Sequence, residues 1–374
     1  MEGEPQYTNG DQGGFMTNGR TIQIMLDRPM FGETERLIAS THDISIHSFR
    51  YSSGVEALGI AIGRSNITWL PYLGSEIWDW TIDGTSQKFT GFMDEPAYGR
   101  TFRQNYGAFL IHCGLLAMGN PTEHDTHPQH GEIPISQPQS SWIEIDVNND
   151  EYPIALASQF RMHEPFKASY LFTPVVRIHA SGTKMMVDGT LENMAKTPLH
   201  YQYLAHINFA YPKQGTLDYS IQHFTQHEVE ILQDVIPGVV SQPEKMRTLD
   251  ESMEYDPELV AIINHSRKAK STFGDGRHVV NKCIIEDHKT LWTVADTIAL
   301  DHTVAWLTKT PDRGACGFSL PATSGPTGFY HENQKGNIKT LAGKDKVHLW
   351  FGFGVSSPYR DEEPKEMIGS RTSG

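Results

Sequence analysis

Cysteine is scarce in this sequence. Three cysteines occur in 374 residues, Cys113, Cys283 and Cys316, and no two of them have CxxC spacing. An odd, sparse set is typical of buried free thiols in a reducing compartment rather than of a disulfide framework. We therefore expect a cytoplasmic protein.

Long apolar runs are also absent. No stretch of about 18 apolar residues exists, so we expect no membrane-spanning segment. The first residues, MEGEPQYTNGDQGG, are acidic and rich in glycine, which does not fit a secretory signal.

Positive charge is in deficit. The chain has 31 Lys and Arg against 45 Asp and Glu, a formal net charge of −14. A nucleic-acid partner or an anionic membrane surface would require a basic face, so we expect neither. The charge suits a small-molecule partner without selecting one.

The familiar phosphate and nucleophile motifs are missing. No GxGxxG opens a helix, and neither GxxxxGK[ST] nor GxSxG occurs. We therefore expect no nucleotide cofactor and no hydrolase of the nucleophile-elbow type.

Strand-like segments dominate what is present. They are rich in Val, Ile, Tyr, Phe, Trp and Thr, often alternate in polarity, and are separated by Gly, Pro, Asn and Asp. Many strands without intervening long helices predict an all-β, antiparallel sheet system. The strongest segments are 20–26, 55–63, 67–74, 106–119, 142–147, 169–180, 184–193, 199–211, 278–287, 297–310 and 346–355.

Helical signal is limited to one clear segment. DPELVAIINHSRKA, residues 256–269, has Asp256 as a potential cap and Pro257 at the first helical position. It lies in a charged region, 240–276, which we interpret as an insertion. The remaining layout is one large sandwich over residues 19–356, with loose tails at 1–18 and 357–374.

Histidine is abundant, with 18 residues. The segment EHDTHPQHGEIPISQP places His124, His127 and His130 within seven positions. Imidazole nitrogens at this spacing could bind a divalent metal. However, the segment contains proline and is a loop, so the spacing does not force the three rings together. A polar loop with one functional histidine is the other interpretation.

A second histidine lies in an apolar strand. In YLAHINFAYP, alternation places His206, Asn208 and Ala210 on one face together with Leu204. Taken alone, such a histidine is more often a hydrogen-bonded core residue than a catalyst.

Together these segments resemble a known family. HGEIPISQP, LAHINFAYP and the segments 54–80, 176–204 and 306–329 are similar in order and spacing to an uncharacterised branch of the aldose 1-epimerase superfamily. The resemblance covers most of residues 40–355. It implies a galactose mutarotase-like antiparallel β-supersandwich, a single large domain with few short helices, which binds a sugar in a groove.

The resemblance also implies roles for particular residues. His206 matches the acid that donates a proton to the ring oxygen of a hexose, and His130 matches a second histidine that holds the sugar. Arg103 or Arg100 matches an arginine that binds hydroxyl groups. The family needs no metal and no cofactor for this chemistry. Further candidates for binding the sugar are Asn208, Arg177 and Trp306.

One departure from the family pattern concerns the general base. The family has glutamate in a Leu-Glu-Pro segment, whereas this chain has Leu320 at that place, and leucine cannot accept a proton. Glu132, which follows the His-Gly pair, is our candidate for a substitute base.

We therefore expect an isomerase or epimerase that acts on a hexose or a sugar acid by His-assisted acid/base chemistry. Two alternatives stay open. One is a metal-assisted sugar isomerase or lyase using His124, His127 and His130. The other is a sugar-binding protein without catalysis, because of Leu320. The sequence predicts no oligomeric state.

Overall fold

The computed structural model of the chain describes residues 15–17, 21–219, 229–231, 247–265, 275–285 and 289–371. Most of the described residues lie in strands, as the alternation of polarity predicts. In chain order the strands are β1 Phe15–Thr17, β2 Thr21–Met25, β3 Arg36–Ser40, β4 Ile44–Arg50, β5 Glu56–Ile62, β6 Ser65–Leu70, β7 Glu76–Ile82, β8 Thr85–Ser86, β9 Leu110–Leu115, β10 Ser140–Asp146, β11 Ile154–Glu164, β12 Ala168–Ile178, β13 Lys184–Asn193, β14 Leu199–Ile207, β15 Phe209–Ala210, β16 Gln214–Tyr219, β17 Val229–Ile231, β18 Thr248–Asp250, β19 Tyr255–Asn264, β20 His278–Ile285, β21 Thr290–Asp296, β22 His302–Thr310, β23 Arg313–Ala322, β24 Lys339–Leu341 and β25 Lys346–Ser356.

Helices are few and short. Within the described ranges there are three α-helices: α1 Phe102–Asn105, α2 Gly328–Gln334 and α3 Glu363–Arg371. Two 3-10 turns, Arg28–Met30 and Ile133–Ile135, complete the regular structure of these ranges. No helix in this part of the chain has both the length and the apolar character needed to cross a membrane.

The strands form two antiparallel sheets, which confirms the predicted fold class. The smaller sheet has the order β1-β2-β10-β11-β12-β13-β25-β21-β20-β16-β18 in the described part of the chain. The larger sheet has the order β17-β19-β22-β23-β14-β9-β7-β6-β5-β4-β3, with β8, β15 and β24 at its margins. This is the predicted galactose mutarotase-like supersandwich.

Aromatic side chains from both sheets fill the space between them. Trp80 of β7 packs edge-on against Phe109 at 5.2 Å and against Phe353 of β25 at 5.8 Å between ring centroids. Phe109 also contacts Phe209 at 5.1 Å. These large side chains are buried, and each removes apolar surface from water, which stabilises the contact between the sheets.

Alternation along β14 decides where the histidine of this strand points. Tyr203 contacts Phe172 of β12 and Phe351 of β25, so it faces the smaller sheet. His206 is three residues further along the same strand and therefore points to the opposite face. The outer face of the larger sheet is consequently the face that carries the site.

Two sequence predictions about local structure are wrong. Residues 255–264 form β19 rather than a helix, because Leu259–Asn264 pair with His302–Leu307 of β22. Tertiary pairing here overrides the local helix-start signal. The segment 357–374, expected as a loose tail, contains α3, whose Met367 is fully buried.

Candidate active site

A cavity of about 390 Å³ opens on the outer face of the larger sheet. Its volume lies in the range of small-molecule sites. Its lining comes from α1, the loop before residue 131, β14, β19, β22 and β23. The lining residues are Phe89, Gly91, Phe92, Met93, Phe102, Arg103, Tyr106, Gln129, His130, His206, Glu258, Trp306, Thr308 and Arg313.

His206 is held inside the cavity by aromatic neighbours. Its ring lies 5.2 Å from Trp306, 5.5 Å from Tyr106 and 5.5 Å from His130, measured between ring centroids. Burial lowers the pKa of His206 to about 4, although the Asn208 side chain opposes this shift. The imidazole is therefore neutral at neutral pH.

His130 enters the cavity from a tight loop. Its backbone has φ of 58°, a conformation that few residues other than glycine adopt, and its ring packs 4.5 Å from Phe102. Two backbone hydrogen bonds hold it, from His130 N to Gly119 O at 2.9 Å and from Gly114 N to His130 O at 2.9 Å. Burial lowers the pKa of His130 well below its usual value, helped by the positive charges nearby.

The two histidines share an unusual feature. The Nδ1 atoms of His130 and His206 are buried and have no hydrogen-bond partner among the described residues. A buried polar atom without a partner costs about 1–3 kcal/mol. Both atoms belong to neighbouring rings that line the cavity, and both are shielded from solvent.

Asn208 supports the cavity without lining it. It accepts a hydrogen bond from the Tyr106 hydroxyl at 2.9 Å and donates through Nδ2 to the Ala108 carbonyl at 2.9 Å. It therefore fixes Tyr106, whose ring packs against His206 and Trp306. Asn208 itself is buried and does not line the cavity, so the structure links it to the site through Tyr106.

The cavity lining also includes a carboxyl group, Glu258 of β19. Glu258 directly precedes the paired residues Leu259 and Leu307 and accepts a hydrogen bond from the Trp306 indole N–H. Arg313 lies at the same wall and donates through Nε to the Thr308 hydroxyl at 3.1 Å. A carboxyl group, an indole and a guanidinium thus line the same cavity as the two histidines, and the indole packs beside His206.

Arg103, on α1, lines the cavity beside His130. Its Nε donates to Gln129 Oε1 at 3.0 Å, and Gln129 Nε2 donates to Asn120 Oδ1 at 2.7 Å. The charge of Arg103 is among the causes that lower the pKa of His130, which places the two groups within electrostatic reach.

Glu132 does not reach this cavity. Its carboxylate accepts hydrogen bonds from the backbone N–H groups of Leu115 and Leu116, both at 3.0 Å, and from the Tyr170 hydroxyl at 2.5 Å. All of these contacts hold the loop against the sheets. The structure therefore gives Glu132 a structural position rather than that of a base, while Leu320 is buried in β23.

Arg177 also lies away from the cavity. It is on β12 of the smaller sheet, paired with Ala155 and Met186, and does not line the cavity. Arg177 lies in a segment that matches the family in sequence order. However, it belongs to the smaller sheet, whereas His206 belongs to the larger one.

The other two histidines of the loop turn away from His130. His124 packs 4.3 Å from the Tyr330 ring, and the His127 Nδ1 lies 2.8 Å from the Pro128 carbonyl. Across the described ranges, no group of three or more His, Cys, Asp or Glu side chains is arranged to hold a metal ion. The metal hypothesis for this cluster therefore gains no support from the geometry.

Glu258 is the site residue that the sequence did not reveal. Its segment, residues 256–269, has the signature of a helix start, so the sequence does not indicate a site residue there. Arg313, Tyr106 and Gln129 were missed because nothing in the local sequence distinguishes them. In a strand, successive residues point to opposite faces, so an interpretation of ELVAII as a strand places Glu258 and Leu259 on different faces.

The fold is a mutarotase-like sandwich, and one of its sheets carries a cavity lined by aromatic and polar side chains. The profile of the family described as "Domain of unknown function (DUF4432)" matches residues 52–263, and the chain belongs to this family. Among curated proteins, no sequence matches it.

Solved structures agree with this fold. A candidate aldose 1-epimerase from Klebsiella pneumoniae is 14% identical, with a TM-score of 0.77 over 94% of this chain and 95% of that one. A galactose mutarotase-like protein from Clostridium acetobutylicum is 10% identical, with a TM-score of 0.57 over 85% of this chain and 100% of that one. At this identity the likeness concerns the fold. The structural likeness confirms, at the level of the fold, the resemblance of the sequence to the aldose 1-epimerase superfamily.

Proposed function

We propose that the chain binds a carbohydrate in this cavity and isomerises it at the anomeric centre by proton transfer. The observation that carries the proposal is that His206, His130 and Glu258 line one cavity together with several aromatic rings. Aromatic rings suit the apolar faces of a sugar, and the imidazole, carboxyl and guanidinium groups of the lining suit its hydroxyl groups.

Ring opening of a sugar requires a base for the anomeric hydroxyl and an acid for the ring oxygen. We assign these roles to Glu258 and His206, which exchange them when the ring closes on its other face. The reaction therefore needs one proton shared between the two groups. His130 and the Trp306 ring hold the sugar between them. The carboxyl group that Leu320 cannot supply comes from β19 instead.

The fold resemblance supports the carbohydrate class, since solved relatives of this fold include a galactose mutarotase-like protein. The alternative of binding without catalysis is disfavoured by Glu258, which supplies the carboxyl group that seemed missing. The two proposals differ in one measurable property, the rate of anomer interconversion.

The test is polarimetry on fresh α-glucose, α-galactose and the matching uronic acids, with binding followed by thermal shift. His206→Asn and Glu258→Gln are each expected to lower kcat by about 10²–10⁴-fold. His200→Asn on the same strand and Glu254→Gln near β19 are matched controls, since both residues are exposed, and both should keep full activity.

If the wild type binds these sugars without accelerating interconversion, the catalytic part of the proposal fails. If no sugar raises the melting temperature, the carbohydrate class fails as well, because a ligand that binds only the native state must stabilise it.

A further inference from the structure

We propose that Arg103 selects carbohydrates that carry an anionic group, a carboxylate or a phosphate. This inference rests on the proposed function and names its substrate class. Arg103 would bind the anion while the rest of the sugar faces His206 and Glu258.

The first observation is how Arg103 is held. Its Nε is occupied by Gln129, which is in turn fixed by Asn120. This arrangement leaves the two terminal nitrogens of the guanidinium for a ligand. In the described ranges its hydrogen-bond partner is this neutral amide, and no carboxylate there forms an ion pair with it. Guanidinium groups bind carboxylates and phosphates through paired, parallel hydrogen bonds.

The second observation is the balance of charge in the cavity. Two arginines and one carboxyl group line it, and both histidines are neutral at pH 7 because burial lowers the pKa of each. Glu258 stands at the wall of β19 and β22, whereas Arg103 stands on α1 beside His130. The positive charge at the α1 end therefore has no counterpart among its described neighbours.

The third observation is the contrast with the whole molecule. The chain carries a net charge of −14, which repels anions at long range. In such a protein a cationic group at the cavity acts over a short range. It affects which ligands bind, but not how fast anions approach the protein. This fits selection for an anionic sugar rather than general attraction of anions.

The experiment compares matched pairs of probes by calorimetry at low and moderate salt. The pairs are glucose with glucuronate, galactose with galacturonate, and glucose with glucose 6-phosphate. We expect the wild type to bind at least one anionic member at least tenfold more tightly than its neutral partner. This preference should shrink as salt is raised, because salt screens charges near the surface.

The variants then assign the preference to one residue. Arg103→Gln should weaken binding of the preferred anion at least tenfold and change binding of the neutral sugar less than threefold. Arg103→Lys should restore part of the preference. Arg100→Gln is the matched control, since Arg100 is exposed nearby and does not line the cavity. A preference for uronates or for the phosphate identifies which anion the site takes.

Two outcomes would overturn the inference while leaving the proposed function intact. One is equal binding of neutral and anionic partners by the wild type. The other is an equal loss for both partners in Arg103→Gln, which would show that Arg103 binds a hydroxyl group. Failure of every sugar to bind would instead refute the proposed function itself.

Discussion

At the scale of single residues, the cavity is defined by two imidazole rings that the fold keeps neutral. His130 and His206 are both buried and both have an unpartnered Nδ1 in the described structure. Water or a ligand hydroxyl could satisfy these atoms, but the apolar side chains around them offer no hydrogen bond. A neutral imidazole of this kind can form hydrogen bonds but takes up a proton only with difficulty, because burial disfavours its charged form.

This property predicts how catalysis depends on pH. The pKa of His206 lies at about 4, so the fraction of His206 that carries a proton for the ring oxygen falls as pH rises. We expect kcat/KM for anomer interconversion to rise as pH is lowered from 8 toward 5. The increase should be up to about tenfold for each pH unit. Initial rates by polarimetry, corrected for the spontaneous reaction, measure it. His206→Asn should show no such slope, and a wild-type rate that increases with pH would contradict the shared-proton scheme.

At the scale of elements, α1 carries Phe102 and Arg103 to the cavity and depends on a buried carboxyl group for its position. Asn105 of α1 donates through Nδ2 to the Pro134 carbonyl at 3.0 Å and lies 3.5 Å from Glu76 Oε1. Glu76 Oε2 and Asn105 Oδ1 are both buried without a described partner. A proton on Glu76 would allow these two oxygens to share a hydrogen bond.

This pair predicts a link between pH and stability. Burial raises the pKa of Glu76 well above its usual 4.5. A raised folded-state pKa means that the stability is fully present below pH 4.5 and is lost as pH rises toward the folded pKa. Glu76→Gln should therefore gain stability over the wild type at pH 8 and not at pH 4.5, measured by urea unfolding at both values. The control Glu123→Gln, at an exposed position, should change the free energy of unfolding by the same amount at both pH values. If Glu76→Gln also does so, the raised pKa of Glu76 is refuted.

The C-terminal helix α3 provides a second test at this scale. Met367 is fully buried and packs beside Trp350, Trp292 and Met186 in a small apolar cluster. Met367→Ala should lower the free energy of unfolding by about 2–5 kcal/mol, because it leaves a cavity. Lys365→Ala, on the exposed side of α3, should change it by less than about 0.5 kcal/mol. A negligible effect of Met367→Ala would mean that α3 is not docked in solution.

Elements also show where sequence reasoning succeeds and where it stops. β14 could be predicted because its apolar run and flanking polar residues have strand character by themselves. β19 could not, because Asp256 and Pro257 have the local chemistry of a helix start, while the pairing with β22 that overrides it lies some forty residues further along the chain. The loss of Glu258 from the predicted site followed directly from that error.

At the scale of the whole molecule, two antiparallel sheets were predictable, whereas the partners across the cavity were not. The alternation of polarity is a local property, so it indicates a sandwich without showing which strands become neighbours. His206 and His130 could be paired through family resemblance. Family resemblance was not sufficient for Arg177 and Glu132. Both lie in segments that match the family, but neither lines the cavity.

The cavity collects residues from Phe89 to Arg313, and this spread has a consequence for folding. The matched family region ends at residue 263, before Trp306, Thr308 and Arg313 are reached. Contacts of such high sequence separation form slowly, because the intervening loop must close first. During synthesis the binding site therefore cannot form until β22 and β23 have left the ribosome. Ligand binding is then evidence that these late strands have paired with the rest of the sheet.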